Sequence, residues 1–214
     1  RVAVLAGDFL FAQSSWHLAN LDDLEVVKLL SRVIMDLAEG EIRQGLYRYD
    51  TGQSLETYIE KSYRKTASLI ANSARAAGVL SELPAEQLDL LHRFGRQLGL
   101  AFQVVDDILD FTGSDVQLGK PAASDLASGT LTAPVLFAME ETPSLAGLID
   151  REFSESGDLE QALELVRSSN GIQRSRSMAE EMAREAGTCL AFLPPSSARD
   201  ALLDLPEFVL SRLY

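Results

Sequence analysis

The chain has 214 residues, 46% of them hydrophobic, and a mean hydropathy near zero, values that describe a folded chain with one substantial core and exclude a disordered one. Nineteen Lys and Arg oppose 32 Asp and Glu for a formal charge of −13, so the overall field repels nucleic acid and anionic lipid, and neither is expected as a partner. The single cysteine, Cys189, excludes an intrachain disulfide or a thiolate cluster, and no apolar run approaches the roughly 20 residues that span a bilayer, so an integral membrane protein is not expected.

Apolar residues recur at spacings of three and four almost throughout, as in Val26, Leu29, Leu30, Val33, Ile34 and Leu37, and alternating strand-like runs are absent. The fold class is therefore all-α, with residues 1–214 as one helical domain. The first helix runs from Val2 to Leu18. It begins without methionine in the middle of an apolar pattern, so the expectation is that a segment precedes it. A second helix covers Leu24 to Tyr49. A third, Leu55 to Gly78, follows Ser54 as a capping residue and carries Lys65, Thr66 and Ala67. The small residues Ala71, Ser73, Ala74, Ala76, Ala77 and Gly78 come next, and either permit close helix approach or leave a cavity. The fourth helix, Ala85 to Phe111, follows Pro84. The connection TGSDVQLGKPAAS, Thr112 to Ser124, is rich in small and turn residues and suits a lid. Helices then cover Asp125 to Glu141, Leu145 to Phe153, Leu159 to Ser168, Gly171 to Phe192 and, beyond Pro194 and Pro195, Ser196 to Leu213. Polar residues inside apolar stripes are how a helical bundle builds an interior site.

The fourth helix ends in FQVVDDILDFTG, Phe102 to Gly113. At helical spacing Asp106, Asp107 and Asp110 can reach toward one patch, at the negative pole of the helix dipole, where three like charges are unfavourable unless a cation arrives. Hard oxygen ligands in such a cluster suit Mg²⁺, which commonly bridges carboxylates to substrate phosphates. Of the four lysines, Lys65 lies on an apolar helix and Lys120 in the Gly119-Lys120-Pro121 turn, where an ammonium can meet a phosphate. The plainer readings are a solvated acidic helix end and two snorkelling lysines. His17 and His92 have no second ligand at metal spacing, Ser14 and Ser15 have no nucleophile-elbow setting, and Trp16 reads as core.

In order and spacing, GDFL (Gly7 to Leu10), GEIRQG (Gly40 to Gly45), RKTASL (Arg64 to Leu69), FQVVDDILDFTG, LGKP (Leu118 to Pro121) and SDLASGTLTAP (Ser124 to Pro134) resemble the trans-isoprenyl diphosphate synthases over nearly the whole chain. The texture of GDLEQALELV, Gly157 to Val166, and of the terminal VLSRLY resembles the long-chain solanesyl-type synthases of cyanobacteria and plastids, which make quinone side chains. The resemblance implies a helical bundle around a central cavity and a Mg²⁺-dependent condensation of isopentenyl diphosphate with an allylic prenyl diphosphate. By the same resemblance Asp106, Asp107 and Asp110 hold the metal against the allylic diphosphate, Lys65 and Lys120 add positive charge to it, and Thr66 and Gln103 line the reacting carbons. Gln44 faces the same cavity, with Asp8 in a supporting position. A homodimer with an apolar early helix at its interface is implied, as is a bacterial cytoplasmic or plastid stromal location.

Two departures stand out. The first aspartate-rich motif of that family is missing, since DDLEV at Asp22 to Val26 lacks the final carboxylate, and its expected place is upstream of GDFL together with the basic residues for isopentenyl diphosphate. Thr130 stands where many members carry a lysine. A geranylgeranyl or farnesyl diphosphate synthase, and a noncatalytic regulatory subunit of a heteromeric synthase, are the alternative readings.

Overall fold

The computed structural model describes residues 1–113 and 123–213, with the side chain of Gln44 outside that set. The described residues form helices and no strand. Helix α1 is Val2–Ala19, α2 is Leu24–Leu46, and α3 is Leu55–Ser62. Helix α3 continues through one wide π turn, Tyr63–Ala67, into α4, Ser68–Leu80. Helix α5 is Ala85–Thr112 and α6 is the single turn Ser124–Ala127. The remaining helices are α7 (Ala133–Glu141), α8 (Ser144–Asp150), α9 (Asp158–Ser168), α10 (Gly171–Thr188) and α11 (Ser197–Ser211).

Capping chemistry sets several of these starts. The carboxylate of Asp23 accepts the Val26 amide at 3.0 Å, the Ser54 hydroxyl accepts that of Thr57 at 3.1 Å, and the Ser196 hydroxyl accepts that of Arg199 at 3.2 Å. Pro134 opens α7, where its missing N–H costs nothing.

Helix α5 lies at the centre, packed most extensively against α4 on one side and α10 on the other. Leu98, Ala101, Val104, Val105, Ile108 and Phe111 of α5 are all buried. Its approach to the preceding hairpin arm is unusually close. A Cβ at Gly95 would sit 2.5 Å from the Ile70 carbonyl oxygen, and one at Gly99 2.6 Å from the Ala67 Cα. The small-residue run anticipated on the third helix is thus used for close approach. On the opposite flank, a Cβ at Gly40 of α2 would stand 3.3 Å from the Lys65 amide nitrogen, so the wide turn is held between α2 and α5. Arg64 pins it further, with its guanidinium on Glu60 at 2.9 Å and also on Glu39 of α2.

Several expected helices differ: Leu145 to Phe153 ends at Asp150 and Gly171 to Phe192 at Thr188. Leu24 to Tyr49 stops at Leu46, and Tyr49 takes a positive φ of 56°. Leu55 to Gly78 contains the π turn and runs on to Leu80. Asp125 to Glu141 is broken between Ala127 and Ala133, because Gly129 adopts a φ of 82° and the Ser128 hydroxyl and Thr130 amide both bond back to the Asp125 carbonyl. The two breaks meet. The Tyr49 amide donates to the Gly129 carbonyl at 2.8 Å, the Tyr49 hydroxyl to that of Ala127 at 3.1 Å, and Arg48 Nε to that of Ser128 at 2.6 Å.

Helix α1 stands apart from this core. None of its residues is buried, and Val2, Leu5, Phe9 and Trp16 are all more than half exposed.

Gly99→Ala is expected to cost about 1–3 kcal/mol, since backbone atoms rather than a flexible side chain must yield. At roughly 2–4 °C per kcal/mol for a chain of this size, thermal unfolding followed by circular dichroism should fall by several degrees. Gly7→Ala, which meets nothing within 4 Å, should leave the midpoint unchanged or raise it slightly.

Candidate active site

The close contact between α5 and the wide turn sets Thr66 against Gln103, and a chain of hydrogen bonds starts there. The Thr66 hydroxyl donates to Gln103 Oε1 at 2.6 Å, Gln103 Nε2 donates to Asp107 Oδ1 at 2.9 Å, and the Tyr58 hydroxyl donates to Asp107 Oδ2 at 2.5 Å. Both oxygens of a buried carboxyl are therefore engaged, which its removal from water requires.

Burial dominates the electrostatics. It raises the pKa of Asp107 to about 7, aided by the charge of Asp125 and opposed by the two hydrogen bonds and by Lys61. Burial likewise pushes the Tyr58 phenol well above its ordinary value, with the Asp107 charge adding to it. The Lys61 ammonium, 5.6 Å from the centre of the Tyr58 ring, is driven below its ordinary value by the same cause. Tyr58, Lys61, Lys65, Gln103 and Asp107 line a polar cavity of about 50 Å³ together with Asp125, Thr130 and Thr132.

The other two aspartates of the motif turn elsewhere. Asp106 pairs with Arg212 at 2.8 Å, and that guanidinium also lies 4.8 Å from the centre of the Phe102 ring. Asp110 is buried and accepts the Asp125 amide at 3.2 Å and the Ser124 hydroxyl at 3.3 Å. The three carboxylates thus have different neighbours. Among the described residues no three acidic, histidine or cysteine side chains gather closely enough to hold one ion.

Lys65 marks a boundary. Its ammonium pairs with Glu41 at 3.2 Å, and its side chain borders both the polar cavity and an apolar groove of about 290 Å³ lined by Val33, Leu37, Thr66, Leu69 and Phe102. A second apolar hollow of about 410 Å³ shares Val33 and Leu69 and extends to Phe11, Leu30, Ile34 and Ser73. Charged and dipolar groups thus border an apolar groove that shares two of its lining residues with a second apolar hollow. Gln44 lies within α2, and Lys120 lies outside the described residues. Asp8 is exposed on α1. Tyr58, Lys61 and Arg212 belong to the site without having been singled out by motif. Tyr58, Lys61 and Lys65 fall at i, i+3 and i+7, a helical face that carries the signal.

Because the unfolded carboxyl titrates near 4 and the folded Asp107 near 7, the folded protein holds the extra proton between these values. Stability therefore falls as pH rises through that window, by a few kcal/mol at about 1.36 kcal/mol per unit. Asp107→Asn should flatten this decline. Urea unfolding midpoints from about pH 4 to about pH 8, without divalent cation, check it.

The sequence profile of the polyprenyl synthetase family matches residues 1–166. The chain is 64% identical over 214 residues to a prenyl transferase of Synechocystis sp. (strain ATCC 27184 / PCC 6803 / Kazusa), covering 100% of this chain and 66% of that protein. It is 53% identical over 213 residues to the chloroplastic solanesyl diphosphate synthase 2 of Arabidopsis thaliana, covering 100% of this chain and 51% of that one. Among solved structures, the polyprenyl synthase from Caulobacter crescentus CB15 complexed with calcium and isoprenyl diphosphate superposes with a TM-score of 0.89 at 33% identity, over 99% of this chain and 66% of that one. The chain spans between about half and two thirds of the length of these relatives. With the helical architecture, the aspartate motif and the profile match in agreement, the chain belongs to the polyprenyl synthetase family.

Proposed function

We propose that the protein is a chain-elongating prenyltransferase that condenses isopentenyl diphosphate with an allylic diphosphate to give an all-trans polyprenyl diphosphate of solanesyl type, as used for quinone side chains. The observation that carries this reading is the position of Lys65, between a polar cavity and an apolar groove, with Thr66 and Gln103 hydrogen-bonded beside it. A substrate with a charged head and a hydrocarbon tail fits such a junction.

The donor set fits Mg²⁺. Asp106 offers a partly exposed carboxylate that already attracts a cation, the guanidinium of Arg212, and Asp107 carries a carboxyl whose ionisation burial opposes and a neighbouring cation would favour. Asp106, Asp107 and Asp110 would hold the ion, and when bound it supplies charge neutralisation to the leaving diphosphate. Lys65 exchanges Glu41 for the diphosphate, and Lys120 adds a second ammonium. The Thr66 and Gln103 dipoles, fixed by their mutual hydrogen bond, lie where positive charge develops on the allylic carbons as the C–O bond breaks. The apolar walls at Val33, Leu69 and Phe102 exclude water from that cation and receive the lengthening tail. The double bond of isopentenyl diphosphate then attacks, and the proton lost from the new chain passes to the departing diphosphate.

The exposed apolar residues of α1 support a second copy of the chain as their cover, hence a homodimer. Among the described residues no helix is long and apolar enough to cross a membrane, which agrees with a bacterial cytoplasmic or plastid stromal enzyme acting on small diphosphates.

Full-length protein incubated with labelled isopentenyl diphosphate, an allylic primer and Mg²⁺ should yield long all-trans products on chromatography. Products that stop at geranylgeranyl or farnesyl length would select the shorter-chain alternative, and absence of incorporation would remove the assignment. Asp106→Ala should lower kcat by about 100-fold or more with the helical circular dichroism retained.

A further inference from the structure

One charged group of the site has no role in the mechanism above. Lys61 projects from α3 with only 8% of its surface exposed, yet among the described residues no carboxylate lies within ion-pair distance of its ammonium and no hydrogen bond holds it. Its ammonium lies 5.6 Å from the centre of the Tyr58 ring and borders the polar cavity, a setting that an anionic ligand would complete. Lys61 lines the polar cavity together with Lys65. Two threonines line the same cavity. Thr132 is 3% exposed, and its hydroxyl finds no hydrogen-bond partner among the described residues. Thr130, the position at which the sequence departs from the lysine of the resembled pattern, lines the same wall. Two carboxyls, Asp107 and Asp125, also face the space, and neither lies within ion-pair distance of Lys61.

An ammonium with no carboxylate at ion-pair distance and a buried hydroxyl without a hydrogen bond, on residues that line one small polar space, match the oxygens of a phosphoryl group: the first supplies charge and donors, the second one further donor. We propose that Lys61 is a diphosphate-binding cation of this site, supplying from α3 the charge that a lysine at position 130 would supply to the same cavity. The assignment rests on the diphosphate reading above and deepens it, because it names the residue that supplies the positive charge which Thr130 withholds. The placement is feasible because Gly129 and Tyr49 hold the segment before residue 130 against the end of α2, and residues 61 and 130 line the same cavity.

The test uses inorganic pyrophosphate with Mg²⁺ as the probe, titrated calorimetrically into the full-length protein and into variants. Wild-type protein should bind. Lys61→Met, which keeps the apolar stem and removes the charge, should weaken binding about 10- to 100-fold, the range for losing one charged hydrogen bond. Ligand-free Lys61→Met should also melt at a temperature at least as high as wild type, since an uncompensated buried charge has gone. Adding Thr130→Lys to Lys61→Met should recover most of the affinity. A Lys61→Met protein that fails to fold, or that binds pyrophosphate as tightly as wild type, makes Lys61 a structural residue and overturns the proposal. A loss of affinity that Thr130→Lys does not reverse marks distortion of the pocket and overturns it as well. Wild-type protein that does not bind pyrophosphate removes the underlying diphosphate reading, and this assignment with it.

Discussion

The close seating of α5 against the wide turn at Tyr63–Ala67 is the constraint on which the rest of the site depends. Two glycines one helical turn apart, Gly95 and Gly99, leave no room for a side chain between the backbones. That intimacy brings Thr66 within 2.6 Å of Gln103, and through Gln103 it orients Asp107. It also sets Lys65 at the border between a polar and an apolar space. Were the two helices separated by an ordinary interaxial distance of roughly 8–10 Å with side chains interleaved, the dipoles beside the groove would lose their mutual alignment.

Charge in this molecule is arranged in local groups. The protein is strongly acidic overall, yet lysines and an arginine lie near its aspartate motif. Burial raises the pKa of Asp107 to about 7, Asp106 pairs with Arg212, and the Asp110 carboxylate accepts the Asp125 amide and the Ser124 hydroxyl. Each carboxylate thus meets its surroundings in a different way.

How much of this was legible beforehand depended on whether a feature repeats with the helical period. The apolar spacing gave the helices and most of their starts, because caps such as Ser54 act locally and leave a mark in sequence. The break after Ala127 has its signals in Gly129 and Pro134, which stop one helix and open the next, whereas the seat of Gly129 against the ring of Tyr49, eighty residues earlier in the chain, leaves no local mark. The aspartates were visible as a motif, but their divergence was not, since it is decided by where Arg212, Tyr58 and Ser124 arrive in three dimensions. Tyr58 and Lys61 could have been found from their phase with Lys65. They were passed over because a tyrosine and a lysine on an amphipathic helix are ordinary until burial is known.

The π turn has an evolutionary corollary. It amounts to one surplus residue in an otherwise continuous rod, and every residue of the rod contributes ~100° of rotation. Excising any single position between Tyr63 and Ala67 would relax the turn to regular geometry while swinging α3 through that angle relative to α4. Tyr58 would then leave Asp107, whereas Leu69 and Ile70 kept their places on the groove. Length cannot drift in this segment, and homologous chains are expected to conserve the interval from Tyr58 to Leu69.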